Sequence, residues 1–370
     1  MCRIARERIP SSMTDNERLT AGLRERLLRS WRELLGPASS CALALYPDHW
    51  NTGDAAIWWG TRRLLDELGI EVAYACDLWN YDPRTLARRL PEGPILLLGG
   101  GNFGDVYPRE QGLRDRILGD FAGRRIIQLP QSIAFRSEGA VVATAGLLAR
   151  QRDFTLMVRD AASLRFARER FPGVATGLCP DAALALELPR PSRPAEVPVL
   201  ALWRTDSESG GPLPPLPAGW FARDWTVPGG VLPADEMAQL SPAGRRFKEW
   251  VGNPPPMGQR SPPRRRFAWR HVPWLWDHLA EDRTHRGLRI LSRGRVVITN
   301  RLHAHLLCLL AGIPHVVCDA ANGKIFAFRD TWYPTGDTGS PSGTTVRFAS
   351  SAAEAVELAK SLSDALPPPA

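Results

Sequence analysis

The sequence predicts an α/β protein with two doubly wound domains that face each other across a cleft. Short apolar runs alternate with helical segments along most of the chain, which is typical of parallel sheets covered by helices on both faces. The chain has 370 residues, more than one ordinary hydrophobic core accommodates. A proline-rich stretch, ELPRPSRPAEVP, lies between two such strand–helix series. These three observations favour two domains joined by a short linker.

The first element is an N-terminal amphipathic helical segment, residues 1–40. Thr14-Asp15-Asn16-Glu17 has the pattern of a capping box, in which Thr14 is the N-cap and Glu17 reaches back to it. Leucines then recur at helical spacing, and Gly36-Pro37 predicts the end of the helix.

The first α/β domain is assigned to residues 41–188. Its predicted strands are 41–46, 70–76, 94–98, 125–129 and 154–158, and its predicted helices are 54–68, 83–90, 111–121, 137–150 and 160–170. Strands that alternate with helices in this way indicate a parallel sheet. Ligands of such sheets bind beyond the carboxyl ends of the strands, so the loops that follow the strands are the places to look for chemistry.

Residues 189–197 are the predicted linker, and residues 198–365 the second domain. Its predicted strands are 198–203, 295–299 and 314–318, followed or separated by helices over 301–311, 322–330 and 351–362. Residues 205–273 are rich in Pro, Gly, Trp and Arg without a clear period, and we interpret them as an irregular insertion.

Composition places the chain among cytoplasmic globular proteins. Hydrophobic residues make up 44% of the chain, but no apolar stretch reaches the roughly 18 residues of a membrane-spanning helix. The first residues, MCRIARERIPSS, lack the apolar segment of a signal peptide. The six cysteines include no C-x-x-C pair and lie mostly in apolar runs, as buried thiols do in a reducing compartment.

The net charge of +8 predicts an anionic partner. Arginines are spread along the chain, and the one dense cluster, Arg264-Arg265-Arg266, is accompanied by no nucleic-acid-binding motif. We therefore expect no nucleic acid partner. A small anionic substrate and an anionic membrane surface explain the charge equally well.

Residues 99–105, GGGNFGD, match the pattern G-x-G-x-x-G after an apolar strand. A dinucleotide site also needs a carboxylate at the end of the next strand, but that strand, RRIIQLP, ends in Gln128 and Pro130. No G-K-[ST] follows, which excludes a P-loop. Two interpretations stay open: a tight strand-to-helix turn without a ligand, or a backbone that approaches a ligand closely, with Asn102 supplying a polar amide.

Polar residues follow several other predicted strands. Asn51, Gly53 and Asp54 follow the first strand, where Asp54 could also be a plain helix N-cap. Gln131 and Ser132 follow the fourth strand. Arg159 follows the fifth, with Asp160 as the expected N-cap of the next helix.

The segment TNRLHAHLLCLLAGIP (299–314) predicts a strand end, a turn and a helix start that carry Asn300, Arg301 and His303. A helix N-terminus favours an anion, Arg301 could grip phosphate or carboxylate through two bonds, and His303 can carry a proton near neutral pH. The alternative is an arginine at a helix start beside a satisfied core histidine. His303 and His305 are two residues apart and point to nearly opposite sides of a helix, so we expect no metal site.

At these residues the sequence resembles the polysaccharide pyruvyltransferase family. The stretches that carry the resemblance run in order through most of residues 41–330: HWNTGDAAI, LLLGGGNFGD, QLPQSI, VRDAASL, CPDAAL, RTD and TNRLHAHLLCLLAGIP. The resemblance implies a GT-B-like fold with two Rossmann-like domains. It also implies transfer of a pyruvyl group from phosphoenolpyruvate to two hydroxyls of a sugar, which forms a ketal and uses no cofactor.

The resemblance carries the catalytic arginine of the family onto Arg159 and its R-x-H element onto Arg301 and His303. The residue chemistry agrees, because phosphoenolpyruvate needs several cationic donors and its methylene carbon needs a proton, for which His303 is the natural acid. The base for the sugar hydroxyl is not visible, with Asp54 and Asp181 as candidates. Substrate contacts are predicted for Asn51, Gly53, Asp54, Gly100, Gly101, Asn102, Gln131 and Asn300, with Gly99 in the same turn.

The expected acceptor is a sugar or lipid-linked oligosaccharide, a precursor of a bacterial-type exopolysaccharide or cell-surface glycan. Peripheral contact with the inner membrane face is a further option for a basic protein of this kind. Two other classes stay open: a GT-B glycosyltransferase or sugar-nucleotide epimerase that uses the same cleft, and a non-enzymatic module that binds anionic glycans.

Overall fold

The computed structural model describes residues 13–206, 208–226, 232–242, 274–333 and 345–366. Residues 1–12, the arginine cluster at 264–266, most of the predicted insertion 205–273 and the last four residues of the chain lie outside these ranges. The described chain is an α/β protein with two parallel sheets of seven and five strands. The predicted alternation of strands and helices is therefore confirmed.

The first sheet has the strand order β2-β1-β3-β5-β6-β7, with β4 pairing β5 beside this path. Its elements are α1 Asp15–Leu35, β1 Ser40–Ala44, α2 Thr52–Glu67, β2 Glu71–Cys76, α3 Pro83–Arg89, β3 Ile95–Leu97, β4 Gly100–Phe103, α4 Pro108–Asp120, β5 Arg125–Ile133, α5 Glu138–Leu148, β6 Asp153–Val158, α6 Ala161–Arg170, β7 Ala175–Leu178 and a 3₁₀ turn, Ala182–Ala185. The chain leaves β1 for β2 on one side and returns to β3 on the other, so the strand order reverses between β1 and β3.

The second sheet has the order β12-β11-β10-β8-β9 and reverses between β8 and β10. Its elements are β8 Val197–Leu202, β9 Phe221–Arg223, α7 Ala234–Ala238, α8 Trp274–Leu291, β10 Gly294–Thr299, α9 Leu302–Ala311, β11 His315–Cys318, α10 Lys324–Trp332, β12 Val346–Ala349 and α11 Ala352–Ala365. Such reversals leave a crevice at the carboxyl ends of the strands, which is where open α/β sheets bind ligands.

The capping box predicted for the first helix is confirmed. The Thr14 side chain accepts from the Glu17 backbone N–H, and the Glu17 carboxylate accepts from the Thr14 N–H. The apolar face of α1 is buried, with Leu27 and Trp31 fully covered. The helix therefore belongs to the core of the first half.

The GGGN segment differs from the tight strand-to-helix turn considered above. Gly100–Phe103 forms the short strand β4, which pairs with the end of a β5 strand longer than predicted. Gly104 follows with φ +125°, and a Cβ atom there would lie 1.9 Å from the carbonyl oxygen of Ala134. Glycine is required at this position because both the backbone angle and the neighbouring backbone exclude a side chain.

Helix α8 was not predicted from the sequence, and it ties the two halves together. It packs against α2. Trp276 on α8 stacks on Tyr46 with ring centres 4.5 Å apart. The buried Arg283 guanidinium of the same helix pairs with Asp48, N–O 3.0 Å, in the loop after β1. One hydrophobic cluster therefore includes Leu43 of the first sheet and Val297 of the second.

Five cysteines lie in the described ranges, and all five are free and buried, as the apolar runs around them predict. Cys2 lies outside those ranges. Among the helices that the structure describes, none combines the length and apolar character needed to cross a membrane.

Candidate active site

A cavity of about 530 Å³ opens where the carboxyl ends of the two sheets face each other. Its walls come from strand β4, from the loops after β1, β4, β6, β8, β9 and β10, and from the first turn of α10. Its lining includes Gly101 and these polar residues: His49, Asn51, Asp54, Asn102, Tyr107, Glu110, Arg159, Arg204, Asp206, Glu208, Thr226, Asn300, Arg301, His303, Asn322 and Lys324. Residues distant in sequence thus converge on one site, as the polar strand ends predict.

Arg159, Asp181 and His303 form a triad at the back of this cavity. Arg159 is buried, donates from Nη1 to Asp181 Oδ2 at 2.6 Å and donates from Nε to Ser132 at 2.9 Å. The His303 Nε2 atom lies 3.3 Å from the same Asp181 oxygen. Burial alone would raise the pKa of Asp181, but His303 and Arg159 outweigh burial and hold that pKa well below its usual range. Asp181 is therefore ionised and holds both the Arg159 and the His303 side chains in place.

Gly53 leaves the space that the His303 imidazole occupies. A Cβ atom at Gly53 would lie 2.5 Å from Nδ1 of the imidazole, closer than any real contact. The histidine from the second half of the chain therefore packs directly on the first turn of α2. This contact explains why the predicted residue Gly53 is a glycine.

The second predicted arginine, Arg301, is already paired. Its Nε and Nη2 atoms donate to the two oxygens of Asp224 at 2.7 and 2.6 Å, and its guanidinium lies 5.8 Å from the centre of the Trp225 ring. Arg301 holds the pKa of Asp224 below its usual value against the opposing effect of burial. The side chain lines the cavity in this paired form, with Nη1 donating no hydrogen bond to the described residues.

Lys324 and Arg204 are two cationic residues that sequence reasoning missed. Lys324 begins α10, and its Nζ atom lies 3.5 Å from the Gly101 carbonyl oxygen and 3.2 Å from Glu208. Burial is the main reason that the pKa of Lys324 is lowered. Arg204 follows β8 and donates two hydrogen bonds to Asp206, both 2.9 Å. Lys324 is one of only three lysines in the chain, and this rarity was the available signal.

Several predicted substrate contacts hold other parts of the site. Asn51, not Asp54, caps α2, because its side chain accepts from the Gly53 N–H at 3.1 Å. Asp54 instead lies in the first turn and accepts from the Asn51 amide at 2.8 Å. Asn300 accepts from the Arg204 N–H and thereby fixes the loop after β8.

Gln131 lies behind the cavity wall rather than on it. It is fully buried, its side-chain oxygen accepts from the Asn102 N–H, and its amide donates to Asn102 Oδ1 at 3.0 Å. Gly100, with φ +133°, lies in the same wall against Ile57. Gln131 and Gly100 therefore shape the GGGN segment, while Gly101 and Asn102 face the cavity.

Arg114 is a second residue that the sequence did not reveal. It is completely buried under the GGGN segment and donates to Asn102 Oδ1, Gln128 and Gln111 at 2.8, 2.7 and 2.6 Å. These partners are neutral, and burial lowers the pKa of Arg114 to about 10. A buried cation thus holds the Asn102 carbonyl group from behind.

His305 points away from the cavity, as its spacing from His303 predicts. Its Nδ1 lies 2.8 Å from His315 Nε2, its Nε2 lies 3.2 Å from the Tyr333 hydroxyl, and both histidines are completely buried. Within the described ranges, no group of three His, Cys, Asp or Glu side chains is arranged to hold a metal ion.

This buried pair should make the protein less stable in mild acid. Burial lowers the pKa of His315 from 6.5 to about 4 and also lowers the pKa of His305 well below 6.5, so both stay neutral in the folded state near pH 7. The unfolded chain binds more protons between pH 6.5 and 4, and stability therefore falls as the pH falls through that window. We expect His315 alone to remove about 3 kcal/mol of unfolding free energy between pH 7 and 4.

The measurement is urea unfolding of the wild type and His315→Gln at pH 7, 6 and 5. We expect the variant to be less stable at pH 7 but to lose less stability as the pH falls. Equal losses in the two proteins would contradict the assignment of this pH dependence to the buried pair.

Comparison with known proteins agrees with this geometry. Residues 51–228 and 262–322 match the profile of a family described as polysaccharide pyruvyl transferase, which is more than half of the chain. "Pyruvyl transferase 1" of Schizosaccharomyces pombe is 33% identical over 302 residues, which cover 79% of this chain and 69% of that protein. "Putative pyruvyl transferase EpsO" of Bacillus subtilis is 29% identical over 303 residues, which cover 81% of this chain and 87% of that protein.

A crystal structure of a functionally uncharacterized protein from Klebsiella pneumoniae is similar in fold. Its TM-score is 0.55 at 15% sequence identity, and the match covers 89% of this chain and 99% of the other. At this level of identity the likeness concerns the fold alone.

Proposed function

This chain belongs to the polysaccharide pyruvyl transferase family and is an enzyme of that type, and we propose that its pyruvyl donor is phosphoenolpyruvate and its acceptor a pair of sugar hydroxyls. The observation that carries the proposal is the cluster of Arg159, Arg301 and Lys324 around His303 in one cavity. Phosphoenolpyruvate has a phosphate and a carboxylate, and several charge-assisted donors in one cavity suit both groups.

The donors available to such an anion can be named. Among the described residues, Nη2 of Arg159 and Nη1 of Arg301 donate no hydrogen bond. The other nitrogens of Arg159 donate to Asp181 and Ser132, and those of Arg301 donate to Asp224. The Arg159 Nη2 atom would lie 3.1 Å from a Cβ on Gly101, as would Lys324 Nζ. Arg159 Nη2 and Lys324 Nζ therefore both lie beside Gly101, where the phosphate or carboxylate would lie, and Arg301 lines the same cavity.

His303 is the proposed general acid. It gives a proton to the methylene carbon C3 of phosphoenolpyruvate, which makes C2 electrophilic. Asp181 is ionised and lies 3.3 Å from Nε2, so it orients the imidazole for the transfer. The first sugar hydroxyl bonds to C2 and loses its proton. The C2–O bond to phosphate breaks, phosphate leaves with the electron pair, and the second hydroxyl closes the ketal with loss of its proton.

Asp54 is the better candidate for the base. Asp181 is buried, and its low pKa makes it a weak proton acceptor. The Asp54 side chain is 30% exposed and lies 3.5 Å from His49 on the cavity wall. A carboxylate open to the cavity can reach an acceptor hydroxyl, whereas one enclosed by Arg159 and His303 cannot.

The experiment is incubation with phosphoenolpyruvate and a panel of methyl hexopyranosides and lipid-linked sugars, after dialysis against a chelator and without nicotinamide. We expect acceptor-dependent release of inorganic phosphate and a sugar product heavier by one pyruvyl group. Turnover of a sugar nucleotide without any response to phosphoenolpyruvate would support the glycosyltransferase or epimerase alternative, which the comparisons do not favour.

The two-sheet arrangement fits the GT-B-like class, and we propose that assignment for the whole chain, with the domain boundaries given above. We further propose that the protein acts in the cytoplasm on a precursor of a cell-surface glycan, with peripheral contact at the inner membrane face. The high positive charge supports this location.

A further inference from the structure

A second cavity of about 220 Å³ adjoins the cavity described above. Four residues line both of them: His49, Asp54, Asn102 and Glu110. The other walls are Leu45 and Tyr46 after β1, Asp77 and Trp79 after β2, and Leu98 and Gly99 after β3. The cavity therefore lies at the point where the strand order reverses between β1 and β3, the usual ligand position in open α/β sheets.

Asp77 is the residue of this cavity that most directly indicates a ligand. It is 1% exposed, and its Oδ1 atom accepts hydrogen bonds from the backbone N–H groups of Trp79 and Asn80 at 2.9 and 3.0 Å. The other oxygen, Oδ2, is buried and has no hydrogen-bond partner among the described residues. Leaving such an oxygen unpaired costs free energy, so a donor on a ligand would satisfy it.

The charge of the second cavity differs from that of the first. Asp77, Asp54 and Glu110 lie in its wall together with Asp48, which pairs with Arg283. Among the described residues that line it, the one arginine is Arg109, whose guanidinium lies 4.3 Å from the centre of the Trp79 ring. A wall with this many carboxylates disfavours a second anion such as phosphoenolpyruvate but accepts hydrogen bonds from neutral hydroxyls.

We propose that this second cavity is the acceptor subsite of the pyruvyl transfer, and that it holds one neutral sugar ring by a hydroxyl that donates to Asp77 Oδ2. The proposal rests on the proposed function. Its volume is below the roughly 300 Å³ of pockets for drug-sized ligands, in keeping with a single ring. Trp79 supplies an apolar surface for that ring. Asp54 lines both cavities and therefore lies beside both the bound sugar and the donor, where it can take the proton of the attacking hydroxyl.

The test is Asp77→Asn, which keeps the size and the oxygen that accepts the two backbone N–H groups but replaces the second acceptor by a donor. Burial raises the pKa of Asp77 to about 7, so the assay is run above that pH, where Asp77 is a carboxylate; a lost hydrogen bond to such a charged group corresponds to a roughly 10- to 150-fold change. We expect KM for the best methyl hexopyranoside of the panel to rise by about that factor, while KM for phosphoenolpyruvate and kcat at saturating sugar stay near wild type. Asp153→Asn, at an exposed site on β6, is the matched control and should change none of these values.

Trp79→Leu gives a second reading if Asp77→Asn does not fold, and we expect it to raise the sugar KM selectively as well. A folded Asp77→Asn or Trp79→Leu protein with an unchanged KM for the sugar, or with a raised KM for phosphoenolpyruvate alone, would contradict the assignment of this cavity as the acceptor subsite.

Binding of the same hexopyranoside, measured by saturation-transfer NMR without phosphoenolpyruvate, separates this proposal from the donor chemistry. We expect a signal with the wild type that is lost in Asp77→Asn. Such a signal together with no phosphate release from the wild type would leave the sugar subsite intact and reject the proposed donor. Phosphate release by the wild type, together with sugar binding that Asp77→Asn does not alter, would support the proposed donor and reject the sugar subsite.

Discussion

Replacing His303 with asparagine should lower kcat by about 10²–10⁴-fold and leave the affinity for phosphoenolpyruvate nearly unchanged. Asparagine keeps part of the hydrogen bonding and bulk of the imidazole but has no titratable proton. The Asp181 carboxylate, 3.3 Å from Nε2, would still accept a hydrogen bond from the new amide. The loss should therefore fall on proton transfer to C3, which single-turnover rates measure directly.

Two other histidines serve as controls for this substitution. His278 is exposed on α8, and His278→Asn should leave both activity and stability near wild type. His305 is buried in the pair with His315, so His305→Asn should lower the melting temperature while the single-turnover rate per folded molecule stays normal. A folded His303→Asn protein with near-normal single-turnover chemistry would remove this residue from the role of acid.

Arg159→Ala and Arg301→Ala should each weaken binding of phosphoenolpyruvate by roughly 1.5–3 kcal/mol, the range for hydrogen bonds to charged groups. Arg159→Ala should also lower turnover more than Arg301→Ala does, because the buried Asp181 carboxylate would then have His303 as its one remaining ion-pair partner among the described residues. Calorimetric titration with phosphoenolpyruvate measures the first effect. Arg89→Ala, an exposed arginine at the end of α3, is the matched control.

A double variant separates lost donor binding from a stranded carboxylate. If Arg159→Ala acts partly by leaving Asp181 uncompensated, Arg159→Ala with Asp181→Asn should recover folding stability but not donor affinity. A lysine in place of either arginine should restore only part of the affinity for phosphoenolpyruvate, because an ammonium group cannot form the two parallel hydrogen bonds of a guanidinium. Wild-type donor affinity in both alanine variants would remove these arginines from the binding site.

The sequence predicted those parts of the site that depend on local patterns. Arg159 and His303 follow strands whose apolar runs are plain, and the carboxyl ends of parallel strands meet at one edge of a sheet. The capping box of α1 and the N-cap Asp160 were also visible, since helix starts have short-range signatures.

The parts that escaped prediction depend on long-range contacts. Arg301 pairs with Asp224, which lies 77 residues earlier in a stretch without periodicity, so no local pattern connects them. In the sequence, Arg114 has the pattern of a surface residue of an ordinary helix, and only the fold places it in a buried position beneath Asn102. Helix α8 follows the aperiodic stretch and packs on α2, in the other half of the chain.

Deuterium incorporation tests the central claim most directly, namely that phosphoenolpyruvate is protonated at C3 and then joined at C2 to two sugar hydroxyls. The reaction is run in D₂O with the best acceptor, and the product is analysed by NMR and mass spectrometry together with released phosphate. We expect one phosphate for each ketal and one deuterium in the ketal methyl group. A product that retains a methylene group, a methyl group without deuterium, or sugar-nucleotide turnover with phosphoenolpyruvate left intact would contradict the account.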